Sequence, residues 1–358
     1  MENPRHRSLL PVLAFLLAGC SPEYVIRAGW EEAKILSARR PIAEILADSS
    51  VDATTRAKLS LVRDARVYGQ RILGLEAGKS FTSYAEIDSD TLVLVVSAAP
   101  EFALRWKTWW FPIVGDLPYK GYFHFDEARK EADKLRREGW DTWVRPSSAF
   151  STLGWLPDPI LSPSLREDSV GLAETVFHEM THTTFFPKGQ ARFNESFANF
   201  VGWRSAIEYF CDGIADADRC AAAENRWHDV RAFGRFFHSV YDPLDLLYAE
   251  TLAAEEKRAR KREILEAAAA RYNHEVRPVL RSGRYGELDP AALNNAWLLS
   301  RVLYYTRLDD FEALYGEYGT VAATVDAVVT ETGDGDPWRA LDRLLASPSP
   351  RAESVDGR

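Results

Sequence analysis

The sequence predicts an α+β fold, mainly helical, with a small mixed β-sheet laid against one face of a central helix. Three observations predict it. Most of the 358 residues fall into segments whose apolar residues recur every three to four positions. One compact run, "DTLVLVVSAAP", is rich in valine and leucine and closed by proline, as a buried strand would be. And "GLAETVFHEMTHTTFF" sets two histidines four apart inside an apolar helical pattern, so polar, chemically active groups are carried into the interior, where they need partners.

Taken in order, the chain opens with "MENPRHRS", a short basic stretch, and "LLPVLAFLLAG", an apolar run of signal length but too short to span a bilayer. It ends at Cys20 in "LAGC". This resembles a bacterial lipoprotein signal, so residues 1–20 are expected to be removed and Cys20 to carry a lipid. One domain is then expected over 21–345, with residues 346–358 as a disordered tail. "YVIRAGWEEAKILSARRPIAEIL" and "TTRAKLSLVRDARVYGQRIL" are amphipathic helices. After the valine-rich strand come two further strands, "KGYFHF" and "WDTWVRP". They flank a charged helix, "DEARKEADKLRREG", stopped by Gly139. "STLGWLPDPILSP" is a strand end or loop. From about Ser169 the pattern is helical: the histidine helix, a turn at Pro187–Lys188–Gly189, and "QARFNESFANFVGWRSAIEYF". "LDLLYAETLAAEEKRARKREILEAAAARY" is expected as one long charged helix with a solvated face. "PAALNNAWLLSRVLYYTRL" and "DFEALYGEYG" are further helices.

Composition narrows the function. A net charge of −9 with no basic stripe argues against nucleic-acid binding. Beyond Cys20 only Cys211 and Cys220 remain, around a Gly- and Asp-containing loop. In an oxidising compartment they are expected to form a disulfide.

The chemistry sits at residues 170–205. His178 and His182 are four apart and aim at one point. Two imidazoles suit zinc but leave it incomplete. Glu195 lies on the next helix, across a turn short enough to bring that helix back antiparallel. Two histidines, one glutamate and an open position make a catalytic rather than a structural zinc site. Glu179 projects close enough to reach a ligand bound there. Asn199, one turn after Glu195, and Glu174, one turn before His178, are candidates for orienting a histidine.

"HEMTH" followed by "NESFA" resembles the gluzincin metallopeptidases, although Glu195 follows His182 at a shorter interval than in thermolysin or the large aminopeptidases. A closer resemblance, to a bacterial family of predicted aminopeptidases that are often lipoproteins, covers most of the chain. It is carried by "AGWEEAKILSARRPI", "AAPEFALRWKTWWFPIVGDLPYKGYF", "STLGWLPDPILS", the zinc motif and "NNAWLLSRVLYY". Members often carry cysteines where this chain has Trp110 and Asp116. The resemblance implies zincin-like active-site helices, one zinc ion and peptide substrates. Glu179 would be the general base. Tyr304, in a segment expected to close over the site, would be the oxyanion donor, with Tyr305, Asn294 and Tyr119 as competitors. "STLGW", with Gly154, is a candidate edge for pairing with extended substrate, and "VGDLPYKGYF" a candidate opposite wall. An aminopeptidase also needs carboxylates for the substrate's amino group, for which Glu101, Asp116 and Glu174 are candidates. The expectation is an envelope enzyme, lipid-anchored on the periplasmic face, with the outer membrane favoured by Ser21. The alternatives are a zinc endopeptidase and a non-catalytic lipoprotein that binds peptide or a partner.

Overall fold

The computed structural model describes residues 29–30, 34–87, 91–111, 115–147 and 159–347. The leader with Cys20, residues 151–155 with Gly154, and residues 348–358 lie outside them. The protein is mainly helical α+β. Its first half runs β1 (Arg40–Pro41), α1 (Ile42–Ala47), α2 (Ala53–Arg71), β2 (Ser83–Ala85), β3 (Val93–Pro100), β4 (Trp109–Phe111), β5 (Gly115–Leu117), β6 (Lys120–Tyr122), α3 (Phe125–Arg137), β7 (Trp140–Ser147) and β8 (Ile160–Leu161). Helices α4 (Ser169–Thr184), α5 (Ala191–Glu208), α6 (Ala217–Ala249), α7 (Ala254–Arg271), α8 (Asn295–Val302), α9 (Leu308–Tyr318), α10 (Val321–Thr332) and α11 (Pro337–Ala346) follow. No helix among the described residues is long and apolar enough to cross a membrane.

The strands form three small sheets among the described residues. β1, β2 and β8 make a mixed one, with β2 antiparallel to β1 and parallel to β8. The valine-rich β3 is the centre of the order β6–β3–β7, antiparallel on both sides, with Val95 opposite Arg145 and Val96 opposite Val144. Alternation along the strands then assigns the faces. Val96, Ala98 and Val144 pack on Ala128, Ala132 and Leu135 of α3. Ala99 and Trp143 turn the other way, onto Ala296 and Leu299 of α8. This sheet is therefore filled by α3 and α8, rather than lying directly on the histidine helix. β4 and β5 form a hairpin in which Trp110 and Asp116 are direct cross-strand partners.

Helix α4 begins where Asp168 caps it, accepting from the Val170 and Gly171 amides at 3.1 and 3.0 Å. Arg226 and Arg284 hold the Asp168 carboxylate in place. Gly189, at φ 76°, makes the turn that returns the chain as α5. Between α4, α5 and α9 lies the main core, where Phe177, Phe193, Phe197, Phe200 and Phe311 are fully buried. Each such ring stabilises by about 1.5–3 kcal/mol, so packing, not polar contact, fixes where α4 and α5 cross. On the far side α2 supports α4 closely: a Cβ on Gly69 would lie 2.6 Å from Met180 Cε.

Three helical expectations are corrected. β1 at Arg40–Pro41 interrupts "YVIRAGWEEAKILSARRPIAEIL" ahead of α1. The charged segment is not one helix. α6 ends at Ala249, Glu250 and Ala253 take extended ψ values of 148°, and α7 starts afresh at Ala254. The reversal lays Leu265, Ala268 and Ala269 on Phe233, Phe236 and Phe237 of α6, burying apolar area that a straight helix would leave in water. Likewise "PAALNNAWLLSRVLYYTRL" is not continuous. A 3-10 turn at Pro290–Ala292 precedes α8, because Asn294 is extended and caps the Trp297 amide at 2.9 Å. Past Val302 the chain leaves the helix, and Tyr304 stands in a turn.

Candidate metal centre

Helices α4 and α5 meet at three side chains. His178 and His182 Nε2 are 3.2 Å apart, and Glu195 Oε2 lies 3.5 and 3.6 Å from them. A tetrahedral ion with bonds of about 2.0–2.1 Å separates its ligands by about 3.3–3.4 Å. Three edges of such a tetrahedron are thus already formed. All three side chains are largely buried, at 13%, 18% and 23% exposed, and the donor set of two nitrogens and one carboxylate suits zinc. His182 Nδ1 is buried with no hydrogen-bond partner.

The electrostatics agree. Burial opposes charge on His178, but hydrogen bonding to Glu195 and the charges of Glu174 and Glu179 outweigh it and push the imidazole up to about 9. Burial likewise opposes the Glu195 charge, yet the two imidazoles hold its carboxyl well below the usual carboxylate range. Without a metal, a proton fills the place of the cation.

Behind the triad, Glu174 Oε1 lies 3.7 Å from His178 Nδ1, the ring nitrogen turned away from Glu195. Burial pushes its carboxyl up to about 7. Asn199 does not orient a histidine. Its Nδ2 donates to the Tyr304 carbonyl at 2.8 Å, since its position on α5 faces the turn after α8. Ser196 joins it, donating to Leu303 O at 3.1 Å and accepting from the Thr306 amide at 3.0 Å. The helix that carries Glu195 therefore also clamps residues 303–306.

That clamp sets the Tyr304 ring 6.4 Å from His178. Burial raises the Tyr304 hydroxyl well above its ordinary value, and the Glu195 and Glu179 charges add to it. Tyr119, in the segment expected to form a wall, is raised by burial and by the same two carboxylates. The charges of Glu195 and Glu179 thus act on both hydroxyls. The other competitors are occupied elsewhere. Tyr305 packs on Phe233 and Phe237, and Asn294 is spent on the α8 cap and on Thr142 O at 3.0 Å. Of the carboxylates considered for an amino group, Glu101 pairs with Arg258 at 2.6 Å, and Asp116 is exposed on the hairpin. Cys211 and Cys220 form a disulfide between the end of α5 and the start of α6, so neither offers a thiolate to a metal.

Three residues escaped the sequence reading. Gly202, two turns after Glu195, lets the helices approach at the site: a Cβ there would lie 2.8 Å from Glu174 Oε1 and 3.3 Å from His178 Cβ. Its signal was a glycine on the ligand face of an otherwise helix-favouring segment. Arg145 and Arg301 are the others, and both act electrostatically on Tyr304. Arg301 precedes Tyr304 by three positions, and Arg145 shares its strand face with Trp143.

The model of a family described as "Putative aminopeptidase" matches residues 23–334. No curated protein and no solved structure matches the chain.

Proposed function

The chain belongs to this aminopeptidase family, and from that premise we propose that it is a zinc-dependent peptidase that acts from the free amino end. The observation that carries the zinc reading is the spacing of 3.2, 3.5 and 3.6 Å among the donor atoms of His178, His182 and Glu195. Bound zinc would lower the pKa of a water toward neutrality and polarise the scissile carbonyl. Glu179 accepts the water's proton and passes it to the leaving amine. Tyr304, whose hydroxyl stays protonated at any working pH, donates to the developing oxyanion, with Tyr119 as the alternative donor. Glu174 fixes the His178 ring through Nδ1, while Asn199 and Ser196 hold the Tyr304 backbone. The same proposal includes a lipid on Cys20 that tethers the enzyme to the periplasmic face of the envelope, with the outer membrane as its site.

The test uses the soluble chain from residue 21. Bound zinc near one ion per chain and cleavage of free-ended but not amino-blocked peptides are expected. Glu179→Gln should keep the metal and lose about 10²–10⁴ in kcat. Failure to bind zinc after reconstitution sinks the reading; equal cleavage of blocked peptides turns it into an endopeptidase.

A further inference from the structure

Where the sheet meets α8, two arginines are left without an acidic partner among the described residues. Arg145 follows Trp143 by two on β7 and so projects from the same face of the sheet, the face covered by α8. Arg301, on α8, comes over the same Trp143 ring at 5.9 Å and over Trp297 at 5.9 Å. The rings hold the guanidinium by its face and leave its N–H edges available. Neither arginine makes an ion pair with a carboxylate among the described residues. The two repel one another, and burial adds to the cost of the Arg301 charge. Arg301 stands three positions before Tyr304, whose ring lies 6.4 Å from His178, so the pair flanks the side of the site that Tyr304 covers. Two guanidiniums kept together, without a carboxylate, call for an anion from outside. Of the acidic candidates for holding a substrate amine, Glu101 pairs with Arg258, Glu174 lies behind His178 and Asp116 is exposed on the hairpin.

We propose that Arg145 and Arg301 bind the C-terminal carboxylate of short peptides, so that the substrates are peptides of a few residues rather than long chains. Each residue beyond the scissile bond adds about 3.3–3.6 Å of reach, so a carboxylate held within the site admits only a few of them. The assignment of substrate length rests on the peptidase reading; the anion site itself does not. An acidic side chain offers the same chemistry from another source.

Two measurements test it. In the first, the metal-free chain from residue 21 is titrated calorimetrically with trialanine, with trialanine amide, and with Ala-Glu-Ala amide. Trialanine is expected to bind about tenfold or more tighter than its amide, as for a charge-assisted pair. Arg145→Gln and Arg301→Gln should bring that ratio close to one, and Arg258→Gln, which releases Glu101 and Glu255, should leave it. Thermal unfolding of each variant identifies one that has failed to fold, and Arg145→Lys and Arg301→Lys, which keep the charge, should then retain part of the preference. In the second, kcat/KM of the zinc-loaded enzyme is compared on the free acid and the amide, with the difference expected in KM. Equal binding of acid and amide by the wild type overturns the proposal, and so does affinity that follows the glutamate side chain and ignores the terminus. Carboxylate-selective binding without any hydrolysis would leave the arginine site standing and remove the peptidase reading alone.

Discussion

Replacing Gly202 by alanine puts a methyl group between the two helices that carry the metal ligands. Its Cβ would meet Glu174 Oε1 at 2.8 Å, the Glu174 carbonyl oxygen at 3.1 Å and His178 Cβ at 3.3 Å, where ordinary contact is 3.4–4 Å. The carboxylate can turn aside. The carbonyl and the His178 Cβ cannot, because both belong to the frame of α4, so the helices must separate by a few tenths of an ångström. Overpacking of this kind costs about 1–3 kcal/mol. The separation also opens the distances from Glu195 to the two histidines, and zinc affinity is expected to fall by about 10–100-fold, as when an outer support of a metal ligand is lost. Denaturant unfolding of the metal-free chain and zinc competition against a chromophoric chelator read the two effects separately. Gly286→Ala, where an added Cβ meets nothing within 4 Å, is the control. Gly202→Ala with unchanged unfolding and unchanged zinc affinity would show that the close approach of α4 and α5 is not what sets the site.

Further outcomes follow from the same geometry. Asn199→Ala removes the partner of the Tyr304 carbonyl and should cost about 1–3 kcal/mol of stability, with kcat falling toward that of Tyr304→Phe while zinc content is kept. In the metal-free protein His178 sits near 9 against an ordinary value of 6.5, so its stabilisation is complete below about pH 6.5 and is lost as pH rises through 9. The midpoint of thermal unfolding should fall across that window. Zinc should flatten the slope and release a proton on binding at pH 7.5, visible as a buffer-dependent binding heat. Cys211→Ser with Cys220→Ser opens a loop spanning a separation of nine residues, and unfolding in denaturant should show a loss of about 2–3 kcal/mol with the metal site intact.

Much of the site could be read in the sequence because its spacing is local. His178, His182 and Glu179 need only the helical repeat, and Glu195 only a short turn. The β3 strand was legible from its valines, and the end of α3 from Gly139. What could not be read depends on contacts distant in sequence. Nothing in Glu250, Thr251, Leu252 and Ala253 breaks a helix by intrinsic preference; the reversal there is set by the apolar area that α7 recovers on α6. Asn199 was credited to a histidine because helical spacing gives a face but not the neighbour opposite it, which is a turn more than a hundred positions away. Arg145 and Arg301 carry no local signal, since only the pairing of β3 with β7 and the packing of α8 bring them together.

The clamp made by Ser196 and Asn199 has a mechanical consequence. α5 supplies Glu195, and through residues 303–306 it also fixes Tyr304 and the end of α8 that bears Arg301. The proposed metal ligand, hydroxyl donor and anion-binding guanidinium are thereby dimensioned from a single datum. A breathing motion of α5 against α4 would carry all three together, changing their distance from the two histidines but not their spacing from one another. Losing the metal would then loosen the grip on substrate without scrambling it, and the two affinities should rise and fall as one.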